Sequence, residues 1–344
     1  MSEAETFDVI IVGAGGAGLT LAFHLKQLGI QTLILEKHNQ VGSSWLNMPE
    51  HLNLITFWQS NALLENDLPL YDSYRAHSAK EFAQYLNDFA NKHEINICFN
   101  HEVLSSEKNG NCFMVHTVEK SFKARAIVHC EGYFNNPRAP HFKIGENPPP
   151  IIHFNQFKNA KDISSFKNIC VVGKRLSAGQ VIEELVKSEQ GQKIYLSRRS
   201  PIKFGAPPLI FKFFLKNLPF IELIMSIFVS SKKVIEVPMS YELKRIIENN
   251  VEIIEDITKV AHQKIFTVDN KEMNIDLIIL ATGYEDKKIS FKNNFESATE
   301  ANRYYLGVSN QRTFASRFLR GIRDDAPILA QLIWANLISK NKFQ

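Results

Sequence analysis

The residues best suited to chemistry lie near the amino terminus, where Gly13-Ala14-Gly15-Gly16-Ala17-Gly18 is followed some twenty residues later by a carboxylate at Glu36. This is the spacing of a turn that holds a pyrophosphate. Gly13 permits the tight turn, Gly15 has no Cβ to keep a phosphate away, and Gly18 lets the following helix approach closely. Glu36 is placed to accept hydrogen bonds from ribose hydroxyls. A second turn, Gly173-Lys174-Arg175-Leu176-Ser177-Ala178, repeats the pattern with a difference at its centre. Arg175 stands where the first turn has Gly15, and Arg198-Arg199 stand where it has Glu36. Guanidinium groups suit the 2′-phosphate of NADPH as a carboxylate suits a free 2′-hydroxyl. Arg175 either clamps a pyrophosphate or obstructs it, and the sequence leaves both readings open.

Isolated glycine patterns are common, so the flanking elements decide their meaning. Phe7–Val12 is an apolar run of the length of a buried parallel strand. Leu19–Leu28 has helical spacing and stops at Gly29, and Gln31–Leu35 reads as the next strand. The second unit repeats this order, with a strand at Asn168–Val172, a helix at Ser177–Lys187 and a strand at Lys193–Ser197. A helix N-terminus at each turn offers free N–H groups and a positive dipole end to phosphates.

A chain of 344 residues with 44% apolar and 22% charged residues has room for two ordinary globular domains. Its net charge of +4, without basic clusters, argues against a nucleic-acid binder. Cys98, Cys112, Cys130 and Cys170 include no C-x-x-C pair, which removes metal knuckles and dithiol redox chemistry and suits a reducing compartment. Met1–Thr6 is polar and short, so no leader is read and a cytoplasmic location is expected. Leu209–Val229 is rich in apolar residues but interrupted by Lys212, Lys216, Pro219 and Glu222. It is expected to form a buried helical excursion, at about residues 205–235, rather than a membrane span; a membrane-facing or substrate-facing surface is the alternative.

Further elements carry a resemblance. Val41-Gly42-Ser43-Ser44-Trp45 is similar to the G-G-x-W element of the flavin-containing monooxygenase superfamily, and Leu52–Thr56 to its L-x-L-x-T strand. Ala79–Lys92 resembles the helix that follows. Ile152-His153 to Phe157-Lys158 matches the second half of the family's F-x-G-x-x-x-H-x-x-x-[FY] signature, while Asn147 and Pro149 depart from the first half. Leu280-Ala281-Thr282-Gly283-Tyr284 matches its A-T-G-Y strand end; the earlier A-T-G is replaced by Cys130-Glu131-Gly132. The similarity covers nearly the whole chain and is nearest to short bacterial members and to plant enzymes of auxin synthesis.

The resemblance implies an α/β fold of two Rossmann-like dinucleotide-binding domains, the second inserted in the first. An FAD-binding domain is expected at residues 1–158 and 275–344, and an NADPH-binding domain at 160–274. It implies that NADPH reduces FAD and that reduced flavin with O₂ gives a C4a-(hydro)peroxide that oxygenates a small organic substrate. Gly13, Gly15, Gly18, Glu36, Trp45, Thr282 and Gly283 would contact FAD, and Gly173, Arg175, Ser177, Arg198 and Arg199 would contact NADPH. A strand at Arg303–Val308 precedes a helix expected to open at Asp324-Asp325-Ala326-Pro327 and run to Ile338, with Asp324 at the end facing the flavin. Trp58, Gln59, Ser60 and Asn61 follow the L-x-L-x-T strand as candidate lining, Asn61 being the candidate catalytic residue. Two alternatives stay open: an oxidase or dehydrogenase with an impaired NADPH site, and a non-catalytic flavin-binding protein.

Overall fold

The computed structural model describes residues 5–65, 67, 75–218, 220–221, 237–286, 288–309 and 311–341. Its α/β architecture begins with the first expected unit. Strand β1 (Glu5–Val12) leads through the glycine turn into helix α1 (Gly16–Gln27), which ends at Gly29 and returns as β2 (Thr32–Leu35). Val9, Ile10 and Ile11 are fully buried because β1 is covered on both faces, which explains its unbroken apolar run. Parallel pairing extends the sheet through β2 to β3 (Ile97–Cys98) on one side and to β6 (Ser121–His129) on the other. The first half of β6 closes an antiparallel meander with β5 (Cys112–Thr117) and β4 (Val103–Asn109). Its second half pairs in parallel with β16 (Arg303–Tyr305), a shorter strand than the sequence suggested.

The second sheet has the same parallel logic. Strands β8 (Ile151–His153), β9 (Asn168–Val172), β10 (Lys193–Ser197), β11 (Val251–Ile254) and β15 (Leu277–Leu280) lie in the order β11-β10-β9-β15-β8. Helix α5 (Leu176–Lys187) follows β9, and α7 (Leu243–Asn250) packs on it. A smaller sheet joins β7 (Lys143–Ile144), β12 (Ile257–Ala261), β13 (Lys264–Thr267) and β14 (Glu272–Asn274). The expected boundaries at 158 and 275 therefore move outward. Leu277–Leu280 and Ile151–His153 hydrogen-bond onto β9 and β15, so they belong to the second sheet. The two connections cross near Pro137 and Tyr284, where Arg138 N–H donates to Gly283 O at 3.0 Å and Glu285 N–H to Asn136 O at 2.8 Å.

Three other expectations change. Leu52–Thr56 is not a strand: Leu54 N–H donates to His77 O at 2.8 Å and Ala79 N–H to Leu52 O at 2.9 Å, after which the chain turns away. The next residues, Trp58–Asn61, form a single helical turn rather than a loop. The final helix, here α8 (Leu319–Asn341), starts five residues before Asp324 and holds Pro327 in its interior. Ile322, Ala326, Leu329, Ala330, Ile333 and Leu337 form one buried stripe at helical spacing, and the helix packs along α1. That stripe continues upstream of Pro327, so burial outweighs the one hydrogen bond the proline forfeits. Helix α4 (Ala79–Lys92) lies where expected and is capped by a reciprocal Ser78–Glu81 box. Helix α6 (Pro208–Lys216) opens the apolar excursion but is not buried as expected: Leu215 is its buried residue, while Leu209, Ile210 and Phe213 are exposed, and residues 219 and 222–236 are outside the described residues. Among the described residues no helix is long and apolar enough to cross a membrane.

Candidate functional site

At the first turn the three glycines meet three different demands. Gly13 has φ +103°, and a Cβ there would stand 2.8 Å from Cys130 O, the carbonyl at the end of β6. A Cβ on Gly18 would be 2.1 Å from Gly13 O, so no side chain fits between helix and turn. A Cβ on Gly15 would meet nothing within 4 Å, because this residue caps α1 at the edge of an open cavity. A Cβ at Gly15 would project into the cavity rather than against the protein. Glu36 lies at the adjacent strand end, buried yet lining the cavity. Its Oε2 accepts from Ala14 N–H at 2.7 Å and its Oε1 from His38 N–H at 3.0 Å. The carboxylate thus braces the glycine turn as well as facing the cavity, a task its spacing alone did not reveal.

The second turn keeps the outer geometry and changes the middle. Gly173 has φ +149°, and a Cβ there would lie 2.6 Å from Ala281 O, the carbonyl after β15. Ala178 occupies the place of Gly18 and is fully buried. Arg175 caps α5 in extended conformation and lines the same cavity, as do Ser177, Arg198 and Arg199. Arg198 Nη2 stands 3.6 Å from Glu255 Oε1, a long pair at the edge of the groove, while Arg199 is exposed. Lys174 Nζ donates to Ser200 Oγ, tying the turn to the end of β10.

Both turns open on one cavity of about 1240 Å³ that runs between the two sheets. Thr282 and Gly283 line it just beyond β15, and Thr282 Oγ1 donates to Arg138 O at 3.1 Å across the crossing. Trp45, on the short helix α2 (Ser43–Leu46), faces the cavity with its ring edge-on to Phe82 at 4.9 Å and to Phe134 at 6.1 Å. His153 is buried, with Nε2 at 3.1 Å from Gly283 O, and its ring packs edge-on to Tyr284 at 5.0 Å; it holds the crossing together from beneath. The first turn of α8 lines the cavity through Leu319, Arg320 and Ile322. Asp324, expected at this helix end, sits in the second turn outside the lining, because the helix starts earlier.

Asn61 is buried beside the cavity, on the turn α3 (Trp58–Asn61), and its orientation is determined by its partners. Its Nδ2 donates to Thr56 O at 2.9 Å, and a carbonyl can only accept, so Oδ1 is the atom that accepts from Thr56 Oγ1 at 2.6 Å. Nδ2 also lies 3.3 Å from His77 Nε2. That nitrogen must accept, which places the ring proton of His77 on Nδ1. Burial pushes the His77 imidazole down to about 4, and it stacks on Trp58 at 3.8 Å. Both amide hydrogens of Asn61 are therefore engaged, and its carboxamide is locked in one orientation.

Sequence reasoning missed His77 and the carbonyl of Cys130. The S-x-x-E capping box at Ser78 announces the helix start, but nothing in the spacing shows that the residue before it turns back onto Asn61. Arg317, also on the lining, was missed as well; its guanidinium lies over the Tyr133 ring at 4.9 Å. Cys130 and Cys170 are buried, and burial pushes both thiols up from their ordinary range. Among the described residues no group of His, Cys, Asp and Glu could hold a metal ion.

Comparison with known proteins agrees with this architecture. Residues 10–316 match the family model described as pyridine nucleotide-disulphide oxidoreductase. The uncharacterized oxidoreductase CzcO of Bacillus velezensis is 27% identical over 352 residues, covering 94% of this chain and 98% of that protein. The flavin-containing monooxygenase of Stenotrophomonas maltophilia aligns with a TM-score of 0.77 at 15% identity, over 96% of this chain and 99% of that one. A structure of OTEMO in complex with FAD and NADP aligns with a TM-score of 0.73 at 16% identity, over 99% of this chain and 86% of that one. The glycine turns, their sheets and these matches together make the chain a member of the pyridine nucleotide-disulphide oxidoreductase family, with a fold shared by the flavin-containing monooxygenase and OTEMO structures.

Proposed function

We propose that this protein is an FAD- and NADPH-dependent monooxygenase acting on a small organic substrate. The observation that carries the reading is the single cavity shared by the Gly15 turn and the Arg175–Arg198–Arg199 groove, which lets one dinucleotide pass electrons to another. In this reading the two sheets are the cores of two dinucleotide-binding domains, the second inserted in the first at the crossing near Pro137 and Tyr284. The residues at the first turn fit FAD: Gly15 leaves the space a pyrophosphate needs, and Glu36 faces the cavity from the ribose position. At the second turn Arg198 and Arg199 fit the 2′-phosphate of NADPH, and Arg175 would lie along its pyrophosphate.

Bound flavin would supply the activation of O₂, and the protein supplies position and dryness. The first turn of α8 directs free N–H groups and a positive dipole end toward the cavity, where they would stabilise negative charge on a reduced flavin ring. Asn61, locked by Thr56 and His77 with both amide hydrogens engaged, would offer the substrate only the remaining lone pair of Oδ1. Thiol–disulfide exchange is a poor match for this site. Of the four cysteines, Cys130 alone lines the cavity, and it is buried with its thiol held protonated. The test is to mix the purified protein with NADPH without oxygen and follow flavin bleaching, then admit ¹⁸O₂ with candidate sulfides, amines and ketones. Bleaching by NADPH followed by label in the organic product is expected. Bleaching by substrate instead of NADPH would make the protein an oxidase or dehydrogenase, and bound FAD with no bleaching at all would make it a binding protein.

A further inference from the structure

The cavity has two chemically different ends. Toward the glycine turns it is lined by charged residues, among them Arg175, Arg198 and Glu36. Toward α6 it is lined by Phe211, Phe214 and Leu215, whose spacing of three and four puts them on one helix face, and by Leu218 just beyond the helix end. Lys212 and Lys216 fall on the other face and are exposed, so this end receives no charge from the helix that builds it. The apolar face is fixed to the rest of the site. Leu215 and Leu218 pack on Phe57, which immediately precedes the turn carrying Asn61. Phe211 also borders a second cavity of about 740 Å³, which shares Leu52–Ile55 with the first.

We infer that this face of α6 is a substrate subsite that takes the hydrocarbon body of an uncharged, largely apolar molecule, with its reacting atom beside Asn61. The inference rests on the monooxygenase reading for the word substrate, but the subsite itself rests on the lining. A charged or strongly hydrated body would lose its water here without finding a partner, because the four side chains offer neither donor nor acceptor.

The experiment uses the FAD-loaded protein and two homologous series, from methyl to hexyl. n-Alkyl methyl sulfides report turnover, and n-alkan-1-ols, which carry no sulfur or nitrogen to oxygenate, report binding by calorimetry. Each added methylene should tighten alcohol binding, and raise kcat/KM for the sulfides, about fourfold until the face is covered. Phe214→Asp should flatten both series, Phe214→Leu should retain most of the slope, and the outward Lys212→Ala should keep it entire. FAD content serves as the folding control for each variant. Chain-length dependence in the alcohols with no sulfide, amine or ketone oxygenated would uphold the subsite and overturn the monooxygenase reading. Sulfides oxygenated with no dependence on chain length, or a slope that survives Phe214→Asp in a folded variant, would overturn the subsite.

Discussion

The two glycine turns are built on one plan and differ where a ligand would touch them. Each starts at a glycine with positive φ pressed against a carbonyl from a neighbouring strand end, Cys130 O in one and Ala281 O in the other. Both then cap a twelve-residue helix with an extended residue. At that cap the first turn has Gly15, open to the cavity, and the second has Arg175, which lines it. At the third glycine position the first turn tolerates no Cβ, whereas the second already contains one in Ala178. The backbone framework is thus a property of the fold, while the cap and the strand end are where the two turns differ. Glu36 at one strand end and Arg198-Arg199 at the other complete the contrast.

The largest effect should come from forcing the turns to be alike in their tightest place. Gly18→Ala puts a methyl group 2.1 Å from Gly13 O and should cost about 3 kcal/mol or more, because backbone rather than a side-chain tip must yield. Ala178→Gly, the reverse exchange in the second unit, should cost only about 1 kcal/mol, since it adds flexibility without a clash. Thermal denaturation of both variants measures the asymmetry, and equal losses would mean that the helices approach their turns equally closely.

Gly15→Val should be milder for the fold and severe for the ligand. A Cβ there meets no protein atom within 4 Å, so melting of the FAD-free protein should be little changed, yet the purified variant should be colourless. Stoichiometric FAD in this variant, read from its absorbance, would remove the first turn from the flavin site.

Replacing both Arg198 and Arg199 with alanine should erase a preference for NADPH over NADH. Each charge-assisted contact to a 2′-phosphate is worth about 1.5–3 kcal/mol, so more than tenfold is at stake. The long Arg198–Glu255 pair has a bearing here, because Glu255→Gln should raise NADPH affinity by removing a competing carboxylate. Stopped-flow reduction with each coenzyme decides the point; a native protein indifferent to the two would place the discrimination elsewhere.

The smallest and most diagnostic change is Arg175→Gly, which makes the second cap resemble the first. If the guanidinium holds a pyrophosphate, NADPH should saturate the reduction at several-fold higher concentration. If it obstructs, the variant should saturate at lower concentration and reduce faster. We expect the first outcome, because Arg198 and Arg199 stay directed at the same groove.

Much of this was legible in the chain itself. Glycines at 13, 15 and 18 after an apolar run, with Glu36 beyond, specify a strand–turn–helix–strand unit through local sterics and a short-range periodicity. The same holds for the helix at Ala79–Lys92, where Ser78 and Glu81 write the start into the sequence. What depended on contacts between distant residues was not legible. Asp324-Asp325-Ala326-Pro327 carries a sound local signal for a helix start, yet burial of a stripe against α1 carried α8 back to Leu319. Leu52–Thr56 alternates like a strand but exchanges only two backbone hydrogen bonds with residues 77 and 79, one donated by Leu54 and one accepted by Leu52, so no ladder forms. Sequence determined where the backbone must bend and which side chains could meet a phosphate, since those follow from one residue and its neighbours. Only the tertiary structure decided that His77 turns onto Asn61, that α6 closes the apolar end of the cavity, and that the two turns share one cavity, because these depend on the packing of two sheets across a crossing that no local pattern records.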